Sequence, residues 1–192
     1  PPRPLDPAKF PDPVTTAKGE RRATVALTAL RTLWVNTGTL CNIACRNCYI
    51  ESSPKNDALV YISVAEVRAY LDEAASLGAP LQEVGFTGGE PFLNRDLPVM
   101  LRDVLGRGLS ALVLTNAMKP MMNHADALLA LRVEFGDRLT LRVSLDHHEA
   151  ALHDLERGEG SFAKTLEGLE WLARHGFCIH VAGRAGFAAG EE

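Results

Sequence analysis

An α/β fold on a single parallel sheet is what the sequence predicts, and three observations predict it. From Ala23 onward, short apolar runs alternate with longer stretches of helical period, the rhythm of repeated strand-helix units. Five such runs can be counted, and the stretch between the first two carries a helix-start signature. The chain of 192 residues, 46% hydrophobic and 23% charged, suits one globular domain that buries its own core without staples.

The elements follow in order. Residues Pro1 to about Arg22 hold six of the eleven prolines, which remove backbone donors and disfavour helix and central strand, so residues 1–22 are expected to be an extended arm and 23–192 the folded core. Strands are predicted at Thr32 to Thr37, Glu83 to Thr87, Ala111 to Thr115, Thr140 to Leu145 and Cys178 to Ala182. After the first strand, Ser63 and Glu66 form a capping box ahead of the apolar stripe Val64, Val67, Leu71 and Ala74, and Gly78 suits the helix end. Further helices are predicted over Asp96 to Leu105, Met121 to Leu131 and Ser161 to His175. In the fourth strand, alternation puts Arg142, Ser144 and Asp146 on one face and Leu141, Val143 and Leu145 on the other, which should meet the helices.

Charge and composition narrow the function classes. A net charge of −4, with no lysine-arginine cluster, leaves no electrostatic footprint for nucleic acid. No run approaches the roughly 20 apolar residues of a membrane span, and the start lacks a basic region followed by an apolar stretch, so the expected setting is cytoplasmic. Three of the four cysteines crowd into Cys41-Asn-Ile-Ala-Cys45-Arg-Asn-Cys48, where a disulfide would leave odd thiols and gain little loop-closure entropy. A metal in a reducing compartment is the better reading.

Ligands in parallel sheets gather at the carboxyl ends of strands, and the cysteine loop sits at the end of the first. A structural zinc site wants four protein ligands, and Cys178 lies far away inside a predicted strand, where a buried free thiol is ordinary. Iron-sulfur clusters are also commonly held by four thiolates, so three leave one iron open to a small molecule. The second strand ends in Thr87-Gly88-Gly89-Glu90-Pro91, a turn that alone would be an unremarkable loop.

Together the two motifs resemble those of the radical S-adenosylmethionine (radical SAM) superfamily, in which three cysteines ligate a [4Fe-4S] cluster and a glycine-glycine-glutamate-proline segment follows. The likeness continues through Leu114-Thr115-Asn116, Val143-Ser144-Leu145-Asp146, Arg157-Gly158 to Ser161-Phe162 and Ala182-Gly183-Arg184, covering about Leu33 to Arg184. The resemblance implies a partial parallel (β/α) barrel with five strands visible of an expected six, the chain stopping where another helix would begin. It implies metal ligation by Cys41, Cys45 and Cys48, with S-adenosylmethionine binding the open iron and a low-potential flavodoxin-type or ferredoxin-type protein as electron donor. Gly88 and Gly89 would let the backbone approach the cofactor, Glu90 would accept from its ammonium, Ser144 and Asp146 would partner its ribose hydroxyls, and Asn116 would hold a similar station at the end of the neighbouring strand. Arg184 would pair with its carboxylate. Where the family often has an aromatic residue before the third cysteine this sequence has Asn47, which joins the candidate cofactor-binding residues.

The implied activity is reductive cleavage of S-adenosylmethionine to a 5'-deoxyadenosyl radical that abstracts hydrogen from a substrate. A non-catalytic iron-sulfur or zinc module, for electron transfer or partner binding, is the alternative, but it leaves the glycine turn and the polar strand ends unexplained. A third reading is an incomplete barrel that binds cofactor without turnover. His147 and His148, paired in a loop, carry no assigned role, Arg102, Asp103 and Arg107 read as a solvated helix face, and Trp34 and Trp171 read as packing.

Overall fold

The computed structural model describes residues 12–184. Positions 1–11 of the expected arm, and the last residues of the expected core, 185–192, lie outside them. Five strands, β1 (Thr32–Asn36), β2 (Glu83–Thr87), β3 (Ser110–Thr115), β4 (Leu139–Ser144) and β5 (Cys178–Ala182), form one sheet in the order of the chain. Every neighbouring pair is parallel, so each connection crosses back over the sheet. The sheet is not closed: among the described residues β1 and β5 are its two edges. This is the open form of the barrel that the sequence predicts.

The crossovers are helical: α1 (Val64–Ser76), α2 (Leu97–Gly106), α3 (Lys119–Met122), α4 (Ala125–Phe135), α5 (Ala150–Arg157) and α6 (Ser161–Arg174). At the start of α1 the capping box is complete, Glu66 N donating to Ser63 Oγ at 3.2 Å and Ser63 N to Glu66 Oε2 at 2.8 Å. In α2 the buried residues Leu97, Met100, Leu101, Val104 and Leu105 recur at the spacing of one helix face. They pack with Val84, Phe86, Val113, Leu141 and Val143 of the sheet and with Leu128, Leu131 and Leu172 of α4 and α6, so the core lies between the helices and one sheet face. Arg102, Asp103 and Arg107 do more than face solvent: they pair with Glu134, Arg68 and Asp72, tying α2 to its neighbours.

Three expectations need correction. The helix expected over Met121 to Leu131 is two, because the chain turns at Asn123 and His124, where His124 Nε2 meets the Phe92 carbonyl at 3.1 Å. Helix α5 was not foreseen from apolar period, since its buried residues are His153 and Glu156. Trp34 lies on the sheet face opposite the core and is 49% exposed, its ring filling the space a side chain at Gly85 would need.

Strand β4 alternates as expected, with Leu139, Leu141 and Val143 buried against the helices, but Leu145, expected on the same face, lies past the strand end and is only half-buried. The polar positions therefore share the other face, and register places Ser144 beside Ala182 of β5 and Arg142 beside His180.

Candidate functional site

The carboxyl ends of the five strands converge on a cavity of about 330 Å³, the size range of small-molecule sites. Its wall includes Cys41, Cys45 and Cys48 from the loop after β1, Gly88, Gly89 and Glu90 after β2, and Asn116 after β3. Ser144 and Asp146 after β4, Arg157 at the end of α5 and Arg184 after β5 complete it. Every residue singled out from sequence for metal or cofactor, Asn47 included, lines this one space. Cys178 does not, and His147 and His148 stack against each other outside it with their planes 24° apart.

The cysteine loop and the glycine turn are built onto each other. Gly89 N donates to the Gly38 carbonyl at 2.8 Å and Glu90 N to the Leu40 carbonyl at 3.0 Å, which continues strand pairing beyond β1 and β2. A Cβ on Gly89 would stand 2.0 Å from the Leu40 oxygen, and one on Gly88, whose φ is +139°, 2.6 Å from the Gly38 oxygen. The expectation that these glycines admit a ligand is thus incomplete. They are required first because the root of the cysteine loop lies against them.

Each of the three sulfurs faces an N–H donor. Asn116 Nδ2 is 4.0 Å from Cys41 Sγ, Arg157 Nη1 is 4.0 Å from Cys45 Sγ, and Ser52 N is 3.3 Å from Cys48 Sγ. All four cysteines are free. Burial, aided by the nearby Glu90, Cys45 and Cys48 charges, pushes the Cys41 thiol up to about 12 against a backbone hydrogen bond from Ile43. Burial likewise raises Cys45, against the charge of Arg157. Three convergent sulfurs, Cys41 and Cys45 costly as bare thiolates and all three supplied with donors, fit a cationic metal centre that neutralises them.

Glu90 is 2% exposed and accepts three hydrogen bonds, from Phe92 N and Thr115 Oγ1 on one oxygen and Asn116 N on the other. Burial pushes its carboxyl up to about 7 even against those three donors. Roughly one of the four acceptor positions of a carboxylate remains. Asn116 is held equally firmly: its Nδ2 reaches Asn42 Oδ1 at 2.9 Å, its Oδ1 accepts from Met118 N, and its carbonyl accepts from Thr165 Oγ1 of α6.

Asp146 is the largest departure from expectation. Both its oxygens are taken by guanidinium groups, Arg157 at 2.7 and 3.3 Å and Arg184 at 2.6 and 3.1 Å, and its side chain is 3% exposed. Burial opposes its charge, but the hydrogen bonds and charges of Arg184 and Arg157 outweigh that and hold the carboxyl at about 2. A ribose hydroxyl finds no free oxygen there. The same contacts aim Arg184 Nη1 at the Asn47 carbonyl, 2.9 Å away.

Asn47 turns its amide away to Glu156 Oε2, at 2.8 Å, and Arg46 N donates to the Glu156 carbonyl at 2.8 Å. The last turn of α5 therefore clamps the cysteine loop. Sequence reasoning assigned no role to Glu156, Arg157 or Ser52. Arg157 stood within a quoted motif, whereas Glu156 and Ser52 carry no signal without the fold.

The comparisons agree with this geometry. The radical SAM superfamily model matches residues 35–186. AlbA, the antilisterial bacteriocin subtilosin biosynthesis protein of Bacillus subtilis, is 32% identical over 143 residues, covering 74% of this chain and 30% of that protein. The AdoMet-dependent heme synthase of Oleidesulfovibrio alaskensis is 30% identical over 139 residues, 71% of this chain and 33% of its own. Among solved structures, Streptococcus suis SuiB bound to S-adenosylmethionine superposes with a TM-score of 0.66 at 16% identity, covering 81% of this chain and 34% of that one, a likeness of fold. The chain thus spans about a third of the length of the curated relatives it matches. Since the matched stretch begins inside β1, runs past β5 and takes in every wall of the cavity, the chain belongs to the radical SAM superfamily.

Proposed function

We propose that this chain is the cofactor-binding core of a radical SAM enzyme, with Cys41, Cys45 and Cys48 as ligands of a [4Fe-4S] cluster and the adjoining cavity as the seat of S-adenosylmethionine. The observation that carries the reading is the meeting of three unpaired thiols, each facing an N–H donor, with the Gly88-Gly89-Glu90 turn in one cavity. Bound there, the cluster would supply one electron to S-adenosylmethionine, yielding methionine and a 5'-deoxyadenosyl radical able to take hydrogen from a substrate.

The chain's own residues hold and orient. Glu90 has one acceptor position left for an ammonium, and the backbone at Gly88 and Gly89 offers polar groups at the cavity wall. Ser144, with its hydroxyl on the cavity side of β4, is the candidate for a ribose. Asp146 serves as a positioning residue, since it holds Arg157 beside Cys45 and Arg184 at the cavity rim, where a carboxylate would find a guanidinium. Asn116 positions the Cys41 corner in the same sense. Four free cysteines suit a reducing, cytoplasmic setting, and a low-potential flavodoxin-type or ferredoxin-type donor would feed the cluster.

The test is anaerobic reconstitution with iron and sulfide, reduction in the presence of S-adenosylmethionine and an assay for 5'-deoxyadenosine, with a Cys41→Ala, Cys45→Ala, Cys48→Ala triple variant alongside. Cleavage that disappears in the triple variant is the expected result. Iron bound without cleavage would refute turnover by this chain and point to an incomplete barrel or an electron carrier, and zinc bound in place of iron would refute the cluster.

A further inference from the structure

One polar group at the cavity wall has no use in the fold. Ser52 is 4% exposed, its hydroxyl is buried without a hydrogen-bond partner among the described residues, and it lines the same cavity as the three thiols. A buried hydroxyl left unpaired costs about 1–3 kcal/mol, so a fold that keeps one calls for an explanation. The same residue's amide donates to Cys48 Sγ at 3.3 Å.

The chain goes to some trouble to place Ser52 there. Glu51, just before it, has φ +53°, left-handed backbone that a non-glycine residue adopts at a cost on the order of 1 kcal/mol. Asn56 Nδ2 pins that turn by donating to the Glu51 carbonyl at 3.0 Å. On the other side, Cys41 N donates to the Ser53 carbonyl at 3.1 Å, and Leu40 pairs with Ser53 in a parallel bridge. The loop thus returns onto its own root, and Ser52 is fixed between the first and third cysteines. Among the described residues, nothing in capping uses its hydroxyl.

We propose that Ser52 sets the reduction potential of the cluster, its amide donating to Cys48 Sγ and its hydroxyl, unpartnered among the described residues, kept as a donor for a sulfur of the cluster. The inference rests on the cluster reading above. Donors to thiolate or sulfide sulfur draw off electron density and favour the more negative, reduced state, which makes the cluster easier to reduce. An electron-accepting site fed by a low-potential donor gains directly from that bias.

The experiment uses Ser52→Ala and Ser52→Thr in the anaerobically reconstituted protein, with iron and sulfide content and an EPR-monitored redox titration as readouts. Ser52→Ala is expected to bind wild-type iron but to need a more negative potential, its reduced-to-oxidised ratio at fixed potential falling about threefold to tenfold, where tenfold is about 59 mV for one electron. Ser52→Thr, which keeps the hydroxyl, is expected to stay near wild type. Without cluster, Ser52→Ala should melt at or above the wild-type temperature, because it removes a polar group with no partner among the described residues. An unchanged midpoint in Ser52→Ala, a threonine variant that follows alanine, or an apoprotein destabilised by alanine would each overturn the assignment while leaving the cluster in place. Wild-type protein that assembles no cluster would overturn both.

Discussion

Replacing Asp146 with asparagine tests the arrangement at its electrostatic centre. The side chain is 3% exposed and holds Arg157, 11% exposed, and Arg184 through four charge-assisted hydrogen bonds. Its carboxyl falls from 3.8 to about 2 in the fold, which by linkage is about 2 kcal/mol of stability above the unfolded value. Asparagine also leaves Arg157 as an uncompensated, largely desolvated cation, and breaking buried pairs in this way costs about 3–5 kcal/mol. At pH 7 Asp146→Asn should therefore lose about 2–5 kcal/mol, a fall of about 1–2.5 M in the urea midpoint for a slope near 2 kcal/mol/M. The sign with pH follows from the depressed value: the contribution is present above about pH 4 and drains away as pH falls toward 2. By pH 3 about half of the linkage part is gone, so the gap between wild type and variant should narrow by about 1 kcal/mol. A variant within about 0.5 kcal/mol of wild type at pH 7, or a gap that stays constant down to pH 3, would refute the claim that Asp146 is a charged clamp.

Three more outcomes follow from specific contacts. Gly89→Ala places a methyl group 2.0 Å from the Leu40 oxygen, a backbone atom that cannot step aside, so the variant should lose at least about 2 kcal/mol by urea titration and bind less iron after reconstitution; wild-type values for both would show that the turn does not rest on the cysteine loop. In α6, Gly168→Ala meets the Ala117 oxygen at 1.8 Å, and although alanine is favoured over glycine in a helix by about 1 kcal/mol, the clash should win and lower the melting temperature; a higher melting temperature would refute the packing. Glu90, whose carboxyl burial lifts from 4.5 to about 7, keeps its proton in the fold after the unfolded chain has lost it, so stability falls as pH rises across that window, by an amount on the order of 3 kcal/mol relative to Glu90→Gln. Parallel pH profiles of the metal-free wild type and Glu90→Gln between pH 4.5 and 7 would show that Glu90 is ionised throughout.

What the sequence discloses and what it hides divide along a physical line. Strands β2 and β5 fall at the expected residues, β1 and β3 differ by a residue at one end and β4 is shifted by one residue at both, because apolar alternation marks the stretch that must be buried while the last hydrogen bond depends on the neighbouring strand. Helix α5 escapes notice for the converse reason, since the side chains it buries are His153 and Glu156, and a polar buried face leaves no apolar period to find. Within the site, the meeting of Cys41, Cys45 and Cys48 is legible because all three lie close together in one loop. The roles of Asp146, Asn47 and Asn116 are not, because a carboxylate or amide at a strand end reads the same whether it faces a ligand or a protein donor. Only the fold brings Arg157, Arg184, Glu156 and Asn42 to them.

That division also decides where selectivity for a ligand can reside. Asp146, Asn47 and Asn116 have their side chains committed to protein partners, and Glu90 has room for one more donor. A polar molecule entering this cavity therefore meets few groups not already committed, among them Ser144 and the backbone at Gly88 and Gly89. Groups already locked by the protein do not reorganise when a ligand arrives, so the entropic cost of ordering the wall is met by folding rather than at binding. The same economy explains why the arginine pair shares one carboxylate. Two guanidinium groups pinned by Asp146 present their charge in fixed directions, one toward Cys45 and one toward the Asn47 carbonyl, whereas unpinned side chains of that length would sweep the cavity they line.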